Sequence, residues 1–315
     1  MADWQRTNPS FLRKLIRDRE FIPIFRLTDA AVEISFAQVR RILNKALANL
    51  TSPPAAIFMK PRRSTTSCRS LLPCFGVALA MTQLAAAGSR HFTYSYETTT
   101  MAKGAMELEN SVTWKTQKAE NPGFDGFDFR HEFEYGFSDR LQLAFYFADW
   151  SHQKSDAEPA KSKFQDVAVE AIYNLTDPNT HPFGSALYGE IKGSDDFIEL
   201  ESKLLLQKNF GSWMFVYNVG GEIVWEDDYK NDNAELKQSA GVSYQCSPSW
   251  SMGAEVLHEI AVPGVDTIGA SGVFFGPNLA WRHQSVSLTM TGLWQLTALD
   301  GEPDFQLRTI FSVSF

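Results

Sequence analysis

The sequence predicts an all-β protein, a transmembrane antiparallel up-and-down β-barrel of about twelve strands. Three observations predict it. The last twelve residues, Asp304 to Phe315, alternate with period two and close on an aromatic residue. Segments of the same alternation recur from residue 104 onward, separated by turn chemistry. The tryptophans gather near the ends of those segments rather than in their middles. In the terminal segment Phe305, Leu307, Thr309, Phe311, Val313 and Phe315 share one face. Gln306, Arg308, Ser312 and Ser314 share the other, with Ile310 as its one apolar member. Such a pattern is a strand with one oily and one wet face.

The head of the chain differs in charge from its body. Residues 1–87 carry 13 basic and 5 acidic side chains, whereas residues 88–315 carry 16 basic and 32 acidic ones. That asymmetry points to a separately addressed head. It also excludes nucleic acid as a partner of the body, because phosphate binding needs clustered Lys and Arg. From Thr28 and Asp29, Val32, Phe36, Val39, Leu43, Leu47 and Leu50 are spaced for one helix face, which Pro53 and Pro54 stop. Met59 then opens a basic stretch (Lys60, Arg62, Arg63, Arg69), an apolar run from Leu71 to Leu84, and Ala85-Ala86-Ala87 before Gly88. That order is a secretory signal peptide. The division expected is therefore 1–58 as an upstream extension with the working start at Met59, 59–87 as signal peptide, and 88–315 as the barrel. Only Cys246 lies in the body, so no internal disulfide framework is available there.

Twelve strands are read in order: 104–117, 127–137, 140–151, 163–175, 184–193, 196–208, 213–226, 235–246, 249–262, 271–282, 285–297 and 304–315. The connections at 138–139, 209–212, 246–249 and 282–285 are short. Those at 118–126, 152–162, 227–234, 263–270 and 298–303 are mostly longer and rich in Asp, Asn, Lys, Gly and Pro. Short turns at one end and long loops at the other suit a membrane barrel. Trp114, Trp150, Trp225 and Trp294 fall at the long-loop ends; Trp213, Trp250 and Trp281 fall at the short-turn ends with Phe315. Two such levels are what amphipathic rings form at the two membrane interfaces.

In hydrocarbon every backbone N–H and C=O must pair within the protein, so the twelfth strand is expected to close on the first. The wet faces then turn inward. They nominate Glu107, Glu109, Asp128, Glu132, Glu134, Asp166, Glu170, Glu199, Glu201, Glu222, Glu255 and Glu259 as pore-lining acids, with Lys115, Arg130, Lys203 and Arg308 as counter-charges. Rows of carboxylates around a water-filled bore favour cations over anions.

Two stretches carry a resemblance, Phe92 to Trp114 and Phe129 to Phe147, the latter with its Tyr-Gly and Ser-Asp-Arg-Leu hairpin pattern. With the terminal strand closing on Phe315, the body from about residue 88 resembles outer-membrane barrel proteins of Gram-negative bacteria, including transporters linked to aromatic degradation. The resemblance implies a bacterial outer-membrane location reached by secretion. It also implies contact with outer-membrane lipid and lipopolysaccharide, and reading of the Phe315 strand by the barrel-assembly machinery. It brings no catalytic or ligand residues.

Chemical signatures are sparse. His91, His131, His152, His181, His258 and His283 lie in no nucleophile motif, and the chain lacks a phosphate loop, a Gly-x-Ser-x-Gly and a His-Glu-x-x-His. The acidic loop Glu226–Asn233 lacks the glycine and ligand spacing of a calcium loop. The expectation is a passive, cation-leaning channel for small solutes, with no enzymatic activity, cofactor or metal. The alternatives are a hydrolase with Ser and His at the long-loop rim, a plugged structural or surface-interaction barrel, and a soluble all-β domain.

Overall fold

A computed structural model describes residues 90–156, 159–226 and 231–315. The expected extension at 1–58, the signal peptide at 59–87 and the centre of the acidic loop at 226–233 lie outside the described residues.

The described body is a closed antiparallel barrel of twelve strands, each paired with its sequence neighbours. They are β1 (Met106–Lys118), β2 (Asn121–Ser138), β3 (Leu141–Lys154), β4 (Lys161–Thr176), β5 (Gly184–Gly193) and β6 (Phe197–Phe210), followed by β7 (Trp213–Glu226), β8 (Asn231–Ser247), β9 (Trp250–Pro263), β10 (Ser271–His283), β11 (Val286–Gln295) and β12 (Phe305–Ser314). Closure comes from the terminal strand as its alternation requires. Glu107 faces Ser314, Val112 faces Thr309 and Thr116 faces Phe305. The Phe315 N–H then bonds the Met106 carbonyl at 3.0 Å. Among the described residues no sheet edge remains unpaired, as a hydrocarbon environment demands.

The two faces of the sheet have opposite chemistry. Outside, Val169, Leu187, Leu200, Leu204, Phe215, Phe275 and Phe311 stand exposed in a continuous apolar belt. Inside, the fully covered groups include Glu107, Glu109, Glu170, Glu255, Thr289 and Thr291. This inversion of the soluble pattern is what a lipid solvent selects. Aromatic rings mark both rims. At one, Phe129 stacks on Trp150 with centroids 3.9 Å apart, and Phe305 meets Trp294 at 4.9 Å. At the other, Trp213 meets Tyr244 at 4.8 Å and Trp250 meets Trp281 at 6.3 Å.

The connections depart from the expected asymmetry in three places. The stretch 118–126, expected as a loop, is a turn at residues 119–120 with β2 beginning at Asn121. Its Asp125 and Gly126 pair with Lys154 and Gln153 on β3, so these hairpins continue past the aromatic rim as paired ribbon. The β5–β6 connection is also short, at residues 194–196, while residues 177–183 make the short-turn side longer between β4 and β5.

Candidate functional site

The bore is the site. Residues 90–105, of which only 104 and 105 fall in a strand read from the sequence, cross the short-turn half of the lumen and form its floor. They are seated chiefly by wall side chains that bond the segment's main chain. The Glu255 carboxylate on β9, wholly buried, accepts the N–H groups of Thr93, Tyr94 and Ser95 at 2.9, 3.1 and 2.9 Å. The Asn218 amide on β7 accepts from the Tyr96 N–H at 2.6 Å and donates to its carbonyl at 3.0 Å, copying one rung of a β-ladder. Gln207 on β6 accepts from the Thr98 N–H at 2.8 Å, and Gln142 on β3 accepts from the Met101 N–H at 3.0 Å. Asn278 donates to the His91 carbonyl, and Thr289 donates to the Arg90 carbonyl at 2.6 Å. Buried main-chain groups away from a sheet need such partners.

Room for this floor comes from glycines on the inward face. A Cβ at Gly241 would lie 2.5 Å from the Phe92 ring, and one at Gly136 would lie 2.1 Å from the Ala102 carbonyl oxygen. Gly104, at φ +84°, turns the segment up into β1.

The floor carries its own charges. Arg90 bonds Glu109 at 3.0 Å and lies 4.3 Å from the Tyr96 ring centre. Burial alone would lower its pKa, but Glu109, Tyr96, Glu132 and Glu134 together hold it well above the usual guanidinium range. His91 folds back on Glu97, with both its N–H and its Nδ1 at the same carboxylate oxygen, 2.8 and 2.9 Å away. Burial opposes both charges. The pairing prevails, raising the imidazole pKa and lowering that of the carboxyl.

Above the floor, toward the long loops, stands a cavity of about 560 Å³. Glu109, Lys115, Asp128, Arg130, Glu132, Asp166, Glu199, Glu201, Lys203, Glu259 and Arg308, all nominated from sequence, line it. Glu222 adjoins it through Lys237, 2.6 Å away. Glu107, Glu134, Glu170 and Glu255 also point inward, but nearer the short-turn end, beside or beneath the floor. Of these, Glu170 accepts from the Tyr146 and Tyr96 hydroxyls.

Among the described residues, the sequence reading missed Asp149, Glu190, Lys192, Glu235 and Lys237 on the wall, Arg90 on the floor and Glu302 on the β11–β12 connection. Asp149 bonds Arg130 at 2.8 Å and Lys192 bonds Glu199 at 2.7 Å. The cations also cap tyrosines, with Arg308 4.2 Å from the ring centre of Tyr94, Lys203 4.3 Å from that of Tyr188 and Arg130 4.3 Å from that of Tyr146. Ten acidic and seven basic residues line the cavity.

Groups suited to catalysis are few. Among the described residues no cluster of three His, Cys, Asp or Glu side chains is placed to hold a metal. Two outward-facing Ser–His pairs exist, His258 with Ser271 and His152 with Ser162, each at 2.9 Å. Among the described residues no acid or amide orients either imidazole from its other nitrogen, as a nucleophile's base requires.

Fold and lumen together define a twelve-stranded transmembrane β-barrel with a polar, partly filled bore. Residues 84–308 match the family described as a family of unknown function, DUF6662, and the chain belongs to that family. The COG4313 outer membrane channel from Pseudomonas putida F1 is similar in structure, with a TM-score of 0.57 at 15% identity, covering 71% of this chain and 100% of that one. The NanC porin (TM-score 0.44, 8% identity, 67% and 98% covered) and the translocator domain of the autotransporter NalP from Neisseria meningitidis (0.45, 10%, 68% and 88%) are more distant in shape. These likenesses concern fold alone. No curated protein matches the sequence.

Proposed function

We propose that the protein is a bacterial outer-membrane channel for small polar solutes, leaning toward cations, with its short-turn end closed by residues 90–105. The observation that carries this reading is the charged cavity above a floor that is a seated segment rather than part of the wall. A barrel serving only as a scaffold has no need of an open, charge-lined cavity, since side chains can fill a lumen of this width. Ten acids against seven bases around the cavity support the cation preference.

The test is planar-bilayer conductance of the full chain beside Glu255→Gln, under a salt gradient. The variant keeps the wall's shape but turns part of the carboxylate toward the floor's N–H groups as a donor. Discrete steps that are larger or more frequent in the variant, with a cation-leaning reversal potential, are expected. A folded variant that passes no ions removes the channel reading and leaves a plugged structural barrel. Hydrolysis is the second reading, resting on the pair of His258 and Ser271 alone, which has no group among the described residues orienting the imidazole. Covalent labelling of Ser271 by a fluorophosphonate would establish it, and no labelling would remove it.

A further inference from the structure

The contacts that hold the floor are addressed to peptide main chain. Glu255 takes three consecutive N–H groups, Asn218 takes the N–H and the C=O of Tyr96, Gln207 and Gln142 take one N–H each, and Asn278 takes a C=O. Among the described residues, their only bonds to the segment's side chains are secondary ones, from the Thr93 hydroxyl to Glu255 and the Thr98 hydroxyl to Gln207, at 3.3 and 3.1 Å. We infer that the floor of the lumen is a main-chain-reading peptide seat, that residues 90–101 are its resident ligand, and that the molecule able to replace them is another peptide of about that length. This rests on the channel reading, and names the class of ligand that regulates the channel.

The chemistry narrows the ligand. All five seat side chains are at most 7% exposed. If the segment leaves, each of these groups gives up its bonds to the floor and keeps at most a wall partner (Thr291 for Glu255, Ser239 for Asn218, Asn209 for Gln207). Polar capacity left unpaired in a covered site is costly. Whatever takes the segment's place must present N–H donors at the spacing of successive peptide units, with a carbonyl interleaved at Asn218. A sugar offers hydroxyls at other spacings, and an inorganic ion offers no such row. A peptide reproduces the main-chain pattern, with a restriction on its side chains: at the position of Phe92 a ring enters the space that Gly241 leaves open, while Tyr94 and Tyr96 pack on buried wall residues and the Tyr96 hydroxyl bonds Glu170. The seat therefore reads backbone along its length and the rings at Phe92, Tyr94 and Tyr96 by shape.

That restriction supplies the test, made in the full chain. Gly241→Val fills the Phe92 space and leaves every seat side chain in place, so the resident segment should leave and the channel open. A synthetic peptide spanning His91 to Ala102 and carrying Phe92→Ala is then added, with binding followed by fluorescence anisotropy and closure by conductance. The expected result is saturable binding and closure. N-methylation at the Tyr94 position, which removes an N–H to Glu255, should weaken binding at least about tenfold. Alanine at both Thr93 and Thr98 should change it by less than about threefold, since those hydroxyl contacts are secondary. No saturable binding, or binding indifferent to N-methylation but lost with the two alanines, overturns the seat. So does a Gly241→Val barrel that keeps its own segment, seen as undiminished protection of the amides of residues 93–95. Binding without conductance in any state would sink the channel reading and leave the seat standing. Conductance without binding would do the reverse.

Discussion

Glu255 and Thr93 lie 162 positions apart in the chain and meet at 2.9 Å. The carboxylate on β9 gathers the N–H groups of three successive floor residues, and Thr291 on β11 donates to it as well, at 2.5 Å. Hydrogen bonds to a buried ionised acceptor are worth more than neutral ones, about 1.5–3 kcal/mol each. Glu255→Gln replaces one acceptor oxygen by an NH₂ that faces other donors. Exchange of the Thr93, Tyr94 and Ser95 amides should then speed by at least about tenfold, while strand amides stay protected. Unchanged protection at those three amides would show that the floor is held elsewhere.

The fold-back of His91 on Glu97 makes the floor pH-dependent, and the direction follows from the two shifts. The His91 pKa is raised, so its contribution is fully present below the ordinary imidazole value of 6.5 and is lost as pH rises through the higher folded value. The Glu97 pKa is lowered, so its contribution is present above the ordinary value of 4.5 and is lost as pH falls through the lower folded value. The segment should be most tightly folded between these two ordinary values and loosen on either side. Protection of the His91 amide, which donates to Glu97, reports this after correction for intrinsic exchange. His91→Gln should abolish the alkaline loosening; a variant that still loosens there would assign it to another group.

The barrel was legible because a lipid solvent writes its demands on every strand. Alternation over the length of β6 or β12 gives a strand with one oily face, and Trp213 and Trp294 at opposite ends mark the two interfaces. The floor was not legible, for the same physical reason. In the run from Phe92 to Met101 the alternation of Phe92, Tyr94 and Tyr96 with Thr93, Ser95 and Glu97 stops after six residues, and most of the bonds that seat it are made to main chain, which every sequence carries. The partners Asn218, Gln207 and Asn278 are polar residues on a wet face, where polar residues are needed anyway. Asp149 was hidden by a local cause: the register of β3 against β4 shifts between Tyr146 and Asp149. Straight alternation from Phe145 and Phe147 would turn Asp149 outward, and the bulge turns it in to Arg130. The stretch after Lys118 misled through composition, since Asn121, Pro122 and Gly123 are turn residues that here sit at the root of a long ribbon.

The outer face of β6 tests the membrane assignment directly. Leu204 stands 39% exposed, facing Leu187 on β5 and Val219 on β7. In water a side chain so placed tolerates charge with little loss. On the lipid face near mid-strand, Leu204→Arg should cost about 2–4 kcal/mol. Reversible urea unfolding in lipid vesicles measures it. A cost below about 0.5 kcal/mol would place this face in water instead.

Lys237 on β8 is where the cation preference can be moved. Its ammonium lies 2.6 Å from Glu222, 3.7 Å from Glu235 and 3.8 Å from Glu201, so one positive charge offsets three carboxylates of the bore. Lys237→Gln would leave Glu222 and Glu235 without this counter-charge, while Lys203 still holds Glu201 at 2.8 Å. In the Glu255→Gln background, the cation-to-anion permeability ratio should rise by at least about twofold at low salt, because an added net charge attracts counter-ions into the lumen. The gain should shrink toward 1 M salt, where the screening length falls to about 3 Å. Glu222→Gln should move the ratio the other way. Reversal potentials under a salt gradient read both. If both variants leave the ratio where it was, the ions do not pass this ring, and the acids of β6 to β9 serve to knit the wall rather than to select.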